Sequence, residues 1–597
     1  MSLNIILGNA LSGLVASQSA IVTTSQNVAN ANSVGYTRQV IHLEQRANGG
    51  VANGVEVSGI SREIDTFLLR ETRVAAAAAG LAQVRAGFYA QIAALFGSPE
   101  ANASLANDLG RFSTAVERLA LNPEDPTLRF NVVATGEALA RNTRQAAASV
   151  QTLRGEADRQ IADAVGEANQ HLRSIFDLNR MIAQANATGQ DVPDLMDRRD
   201  QAVLALAELI GVSTFERDSG AIAVFTTGGQ ALIDAELRQL SYSPTATVQA
   251  GTVFGALTAT PVDSQTLVPV GDGQVIVSSG TSDTVVSGLV TGRVQGLLSM
   301  RDGELPALAL QLEAFAAKLR DAVNAVHNDG VSFPAPSALT GTATVAGGDP
   351  FAATGTMRIA IVDAGGTVVG TPVDLDFGTL GAATVNDVVI AINAALGADG
   401  SAAIVNGKLV IRATNPAHGV AINGGTTVIG STGRGFSHHF GLNDFFIGTG
   451  AADLAVRPDL LANPARVTTA ALSTTAASGA VALTIGDNRA VSRLAELFEA
   501  AQPFAAVSGL PAAQITLGSF VATMIGQTAI RASAASDEVS RLNALLGNLQ
   551  FRMSSQSGVN IDEELGRLVL FQNAYQASAR VMSVAQQMFD DLIGIIG

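Results

Sequence analysis

Apolar positions recur at heptad spacing at both ends of the chain and give way to alternation in the middle. Leu3, Leu7, Ala10, Leu14, Ser17, Ile21, Thr24, Val28 and Ala31 follow one another at steps of four and three. That spacing predicts an amphipathic helix over residues 1–31 with one narrow face for a partner helix. Asn30-Ala31-Asn32-Ser33 and Gly35 end it, and the pairs Gly49-Gly50 and Asn53-Gly54 mark turns between short strands such as Val55 to Val57, a hinge with a small hairpin. From about Arg62 to Phe96, Phe67, Val74, Leu81, Phe88 and Leu95 repeat every seven residues around the helix-favouring run Ala75 to Ala79, which places Phe67 in a folded helical layer. Asp125 and Pro126 then open a helix to about Ala187, with Ile161, Val165, Ala168, Leu172, Ile175 and Ile182 at helical spacing. Gly189 and Pro193 break it, a shorter helix runs to Ile210, and Gly211 stands at its C-terminal cap.

After Gly211 the period shortens to two. Strands are predicted at Ile222 to Phe225, Gln274 to Val277 and Thr284 to Val286. A helix returns over about Gln295 to His327. The Gly-, Ala- and Thr-rich stretch from about Pro334 to Thr449 then predicts strands at Met357 to Val362, Ala403 to Val405 and Lys408 to Arg412, with one helix at Val385 to Leu396: a small α+β insertion. The last hundred residues are helical again, first through Ala532, Ala535, Val539, Leu542, Leu546, Leu549 and Met553 up to Ser557-Gly558. Asn560 followed by Glu563 has the spacing of a capping box, with Asp562, Glu563 and Glu564 where the helix dipole favours anions. The final helix runs through Ile561, Leu565, Leu568, Gln572, Tyr575, Ala579, Met582, Gln586, Phe589, Ile593 and Ile596, about 54 Å at 1.5 Å per residue.

Two such helices leave an apolar stripe that neither covers, so further copies must complete the burial. The ends are therefore expected to be loose in the monomer and ordered in an assembly. At 597 residues the chain exceeds one core, and length suggests roughly three to five modules. Aromatics are only 5%, with no Trp, so aliphatic side chains supply the packing. A net charge of −16 repels phosphate backbones and argues against a nucleic-acid partner. The apolar stretches are studded with Ser, Thr, Asn and Gly, so neither a membrane span nor a membrane partner is expected. No charge precedes Arg38, so the start does not read as a Sec signal, and export would need another route.

Absence of Cys removes disulfides, thiol nucleophiles and thiolate metal sites. Of six His, only His438-His439 adjoin, and they read as a polar pair in a loop. Gly430-Ser431-Thr432-Gly433-Arg434-Gly435 lacks the strand-to-helix setting of a phosphate loop. Asp194, Asp197 and Asp200, alternating with Arg198 and Arg199, read as a solvated helix face. No catalytic residue, metal or cofactor is expected.

Gly13-Leu14, Thr23-Thr24-Ser25-Gln26-Asn27-Val28-Ala29-Asn30-Ala31-Asn32 and Gly35-Tyr36-Thr37-Arg38-Gln39 closely resemble the N-terminal motif of the flagellar hook-associated protein 1 family, the hook–filament junction proteins of bacteria. Ser557-Gly558-Val559-Asn560-Ile561-Asp562-Glu563-Glu564, Phe571-Gln572-Asn573-Ala574-Tyr575-Gln576-Ala577-Ser578-Ala579-Arg580-Val581 and Met588-Phe589 resemble its C-terminal signature. Interior segments such as Asp194-Leu195-Met196-Asp197-Arg198-Arg199-Asp200, Val224 to Gln230, Arg301-Asp302 and Phe440 to Phe446 are similar in the expected order. Rod and hook proteins share the general pattern, but their N-terminal motif usually ends in Gly-Phe-Lys.

The resemblance implies an axial structural protein of the bacterial flagellum. It implies export through the flagellar type III apparatus with a chaperone on the C-terminal helix, and a homo-oligomeric ring touching hook protein below and a second junction protein, then filament, above. The alternative is a surface binding protein or adhesin on a helical stalk. The expected fold is multi-domain α+β: terminal coiled-coil helices, a long helical bundle, β-rich outer domains and the insertion. Its boundaries are read as 1–60 for the heptad helix and hinge, 61–210 and 488–556 for the bundle, 211–333 and 450–487 for β-rich parts, 334–449 for the insertion and 557–597 for the last helix. The expected assembly interface is Leu3, Leu7, Leu14, Ile21, Val28, Ile561, Leu565, Leu568, Tyr575, Ala579, Met582, Phe589, Ile593 and Ile596.

Overall fold

The structure is a computed structural model that describes residues 3–33, 35–48, 51–97, 104–280 and 287–596. The long helices are α1 (Leu3–Asn30), α2 (Thr66–Phe96), α3 (Leu105–Leu121), α4 (Pro126–Ala187) and α5 (Pro193–Ile210). They are followed by α6 (Arg293–Ser299), a π-helical turn (Met300–Glu304) and α7 (Leu305–Asn328). The short α8 (Phe377–Leu380), α9 (Val385–Leu396), α10 (Phe436–Phe440), α11 (Pro458–Ala462) and α12 (Arg489–Glu499) precede α13 (Leu517–Ser557) and α14 (Ile561–Ile596). The chain forms two compact units, one of residues 1–88, 154–303 and 533–597, the other of 89–153 and 304–532. The fold is mixed α+β.

In the first unit, strands β1 (Gln39–Asn48) and β2 (Val51–Arg62) form one long antiparallel hairpin rather than a small one. Asn53 and Gly54 lie inside β2, where the register slips between Gln45 and Ala47; they bulge rather than turn. Gly49-Gly50 lies outside the described residues. A six-stranded antiparallel sheet follows in simple meander order: β3 (Val212–Glu216), β4 (Ile222–Thr226), β5 (Ala231–Ile233), β6 (Leu237–Ser241), β7 (Leu257–Val262) and β8 (Gln274–Val277). The strand expected at Thr284 to Val286 falls outside the described residues. All six apolar positions read from α4 are buried, Ile161, Ala168, Ile175 and Ile182 completely. Asparagines on the same helix clamp the sheet. Asn179 donates to Ile222 O (2.7 Å) and accepts from Ile222 N (3.0 Å), and Asn169 does the same with Leu240 at 2.9 and 2.8 Å. Gly211, at φ 57°, caps α5 as its position implied, because its left-handed backbone disfavours a side chain.

The expected seam of α2 is rotated by one residue. Leu68, Ala75, Ala82, Tyr89 and Phe96 are buried, while of the expected positions Phe88 is buried but Phe67 and Val74 are 69% and 56% exposed. A strict seven-residue repeat does not say which of two adjacent stripes faces the core, and here the smaller one does. Phe67→Ala is therefore expected to change thermal stability by less than about 0.5 kcal/mol. Leu68→Ala should cost about 2–5 kcal/mol. Equal losses in a melting comparison would contradict the burial pattern.

In the second unit, α3, α7 and α12 enclose an aromatic cluster in which Phe112 stands 5.4 to 5.7 Å from the rings of Phe445, Phe446 and Phe498. Asn324 and Asn328 of α7 hold the 443–446 backbone through bonds of 2.7 to 2.9 Å. The α+β insertion contains two three-stranded antiparallel sheets. One has the order β12 (Val368–Asp376), β11 (Thr356–Val362), β15 (Gly419–Asn423); the other runs β13 (Gly400–Val405), β14 (Lys408–Ala413), β9 (Ala338–Thr340). Two-residue β10 (Ala353–Thr354) and β16 (Val428–Ile429) pair beside them. α9 begins at a full capping box of Thr384 and Asp387 and buries Val385, Val388, Val389, Ile392 and Leu396. His438 and His439 lie on α10 rather than in a loop, with the His439 ring against Phe351 and Phe440.

His327 is enclosed. Nδ1–H donates to Asn443 O, and Nε2 accepts from Thr468 N at 3.1 Å, which fixes a neutral ring. Burial pushes its imidazole down to about 4, partly offset by the Asn443 carbonyl. Unfolded histidine titrates near 6.5, so between pH 6.5 and 4 the unfolded chain binds the extra proton. Stability is full above pH 6.5 and falls by about 3 kcal/mol as pH drops towards 4. Melting of the protein and of His327→Gln across this range should show a flatter profile for the variant; parallel profiles would refute the assignment.

Candidate assembly interface

α1 and α14 pack antiparallel. The buried side of α1 is made of Ala10, Ala16, Ser17, Ala20, Thr23, Thr24 and Asn27, and α14 meets it with Ala585 and Glu564. Gly13 lets the helices approach closely, because a Cβ there would stand 2.9 Å from Ser578 Oγ. By length and composition alone α1 could cross a membrane, contrary to the expectation above. Yet it is the small and polar side chains that are covered here, through their own side-chain bonds and by α14.

Where α1 ends and α14 starts, a polar hub joins four elements. Asn27 Oδ1 accepts from Gln39 N (3.0 Å) and Tyr36 OH (2.9 Å), and its Nδ2 donates to Gln39 O and Glu564 Oε2, both at 2.9 Å. Arg38 Nε donates to Glu564 Oε1 (2.9 Å), its NH1 to Glu63 (3.1 Å), and its backbone N to Ser557 O (2.8 Å). Asn560 Oδ1 accepts from Asp562 N, so the cap forms, but Glu563 turns to Arg38 at 3.5 Å and the reciprocal half of the box is replaced by an ion pair. Burial, with Asp194, Asp197 and Glu564 nearby, holds the Tyr36 phenol above its ordinary range.

Asp194 and Arg198 of α5 are exposed, as a solvated face requires, but Asp197 is buried, Asp200 is half-buried, and all three carboxylates bond into the same hub. Asp197 accepts from Thr37 N (3.0 Å), Thr37 Oγ1 (2.6 Å) and Arg62 NH1 (2.7 Å). Asp200 takes Arg62 (2.9 Å) and Arg73 (2.8 Å), and Asp194 takes Gln39 Nε2 (2.7 Å). Burial would lower the Arg62 guanidinium, and Asp200 and Asp197 more than offset it. The signal that could have found this pairing was the joint presence of the Gly-Tyr-Thr-Arg-Gln and Asp-rich segments, since local spacing alone shows no partner. Beside it, Ile64, Phe67, Val74 and Phe215 border a groove of about 930 Å³.

Leu3, Leu7, Leu14, Ile21 and Val28 are half-buried on the flanks of α1, as are Leu568, Ala579 and Met582 on α14. Ile561, Leu565, Tyr575, Phe589 and Ile593 are exposed, and the side chain of Ile596 lies outside the described residues. Around them Leu11, Val15 and Val22 on α1, and Val569, Leu570, Val581, Val584 and Met588 on α14, are also at least 47% exposed. Large apolar side chains thus point out and small ones in. Among the described residues no group of three or more His, Asp or Glu could hold a metal ion.

Residues 89–338 match the model of the flagellar hook-associated protein FlgK helical domain, and residues 552–595 match that of the flagellar basal body rod FlgEFG protein C-terminal region. The chain is 28% identical to flagellar hook-associated protein 1 of Escherichia coli strain K12 over 99% of both chains, and 22% identical to that of Bacillus subtilis strain 168 over 99% of this chain and 98% of the relative. Over nearly its whole length the chain is similar to the flagellar hook-associated protein 1 family. This is a family of structural flagellar proteins, not of enzymes. The flagellar hook junction protein FlgK from Burkholderia pseudomallei has a related fold, with a TM-score of 0.51 and 17% identity over 82% of this chain and all of that one. That family's multi-domain α+β fold is the one described above, and the rod-type model falls on the end of α13 and nearly all of α14.

Proposed function

We propose that this protein is an axial structural component of the bacterial flagellum that forms the junction ring between hook and filament and polymerises through its terminal helices. The observation that carries this reading is the outward stripe of α1 and α14, from Leu11 to Val22 and from Leu565 to Ile593, which no other described residue covers. A stripe this long is costly in water and is buried when neighbouring copies pack side by side. Export through the flagellum, a chaperone on α14 and contacts with hook protein, a second junction protein and filament belong to the same proposal. So does the layered placement of the terminal helices inside and the β-rich regions and the 334–449 insertion outside.

The test is deletion of the gene in its host, followed by motility scoring and imaging of cells and medium. Hooks without filaments, with flagellin lost to the medium, are the expected result. Normal filaments would overturn the reading.

A further inference from the structure

The contact between α1 and α14 has a weakness that the hub corrects. Its buried positions are mostly Ala, Ser, Thr and Gly, which lack the large knobs that fix how far one helix stands along another. Because the seam repeats every seven residues, a slip of one heptad, about 10.5 Å along the axis, places like against like. Gly13 opposes a slip only through close contact with Ser578, whereas the hub opposes it through buried polar partners. Asn27 and Glu564 are each 1% exposed. The four hydrogen-bonding positions of the Asn27 amide are all taken, one of them by Glu564, whose other oxygen holds Arg38. Seven residues further along α14 stands Phe571, which offers no carboxylate. A slipped pair would set Phe571 against the buried Asn27 Nδ2, leave that N–H without its acceptor and part Glu564 from Arg38, which is disfavoured.

We infer that Asn27, Arg38 and Glu564 are positioning residues that set the axial register of the terminal helix pair. They fix the height at which the outward side chains of α14 meet the next subunit. A single buried asparagine is a known means of specifying register where the apolar seam alone does not. The pairing is a property of the isolated chain. Its consequence for assembly rests on the proposed axial role.

The chain has no cysteine, so register can be read by cross-linking. A Cβ at Gly13 lies 3.8 Å from Ser578 Cβ, the mean separation in disulfides. Gly13→Cys with Ser578→Cys reports the native register, and Gly13→Cys with Ala585→Cys reports the pair slipped by one heptad. In the otherwise unchanged chain, oxidation should link the first pair at least about tenfold faster than the second, and Asn27→Leu or Glu564→Leu should bring the ratio to within about twofold. Helix content by circular dichroism shows that each variant still folds. Glu564→Gln, which keeps the shape and the acceptor for Asn27, should retain most of the preference.

Equal linkage of both pairs in the unchanged chain, or an unchanged ratio in either helical Leu variant, would overturn the inference. Because this readout needs no hook or filament, a failed gene-deletion test would sink the junction role and leave the register result standing.

Discussion

Arg301→Met is expected to destabilise the first unit by about 3–5 kcal/mol, the cost of removing one partner from a buried ion pair. Arg301 and Asp158 are both fully buried, and their side chains meet at 2.8 Å. Arg301 also grips Asp302 with two bonds of 2.8 Å and lies 4.0 Å above the ring of Phe254. Asp158 further accepts from Tyr242 OH and, at 2.7 Å, from Thr245 N, so its charge ties α4 to the strand that ends at Ser241 and the loop beyond it. Arg154, donating to Arg301 O at 3.1 Å and to Gln249 O at 3.0 Å, completes the cluster. Methionine fills much of the space but leaves the Asp158 carboxylate without its cation in a place water does not reach. The π-helical turn at Met300–Glu304 carries this arginine. Hydrogen exchange followed by mass spectrometry should show faster exchange in peptides of 154–303, with those of 304–532 little changed. Uniform acceleration, or none, would contradict it. Arg301→Lys should recover only part, because an ammonium cannot make the two-pronged contact with Asp302.

Leu570→Asp is expected to do the opposite: leave the free protein alone and disable assembly. Leu570 is 63% exposed, and a surface change of this kind alters folding stability by no more than about 0.5 kcal/mol. If neighbouring copies bury it, the same change places a carboxylate in an apolar contact. If the proposed ring buries Leu568 and Tyr575, even truncation by Leu568→Ala or Tyr575→Ala should cost about 2–5 kcal/mol per subunit. Cells carrying Leu570→Asp should keep hooks, lose attached filaments and swim poorly, while the purified variant melts with the parent. A variant that melts early yet assembles normally would show that this face serves the monomer and not the junction.

Much of the molecule was legible in the sequence because helices announce themselves through spacing. The six apolar positions of α4, the bounds of α9 from Val385 to Leu396 and the cap at Gly211 follow from local period and backbone preference, which need no knowledge of what lies across the contact. The end motifs likewise led to the family without any structure.

What only the tertiary structure decided was the choice among partners. Phe67 and Leu68 are adjacent and equally apolar, and the packing of α2 against its neighbours selects the second. Asp197 and Asp200 have solvated-looking local spacing, yet the first is buried and the second half-buried because Arg62, Arg73 and Thr37, more than a hundred residues away, reach them. Glu563 has the spacing of a capping box, and Arg38 draws it elsewhere. Periodicity is a property of one segment, and so the sequence by itself determined the helices and their apolar stripes. Charge pairing and burial depend on segments brought together only by folding, and so the hub that joins the two ends of this chain became visible only in three dimensions.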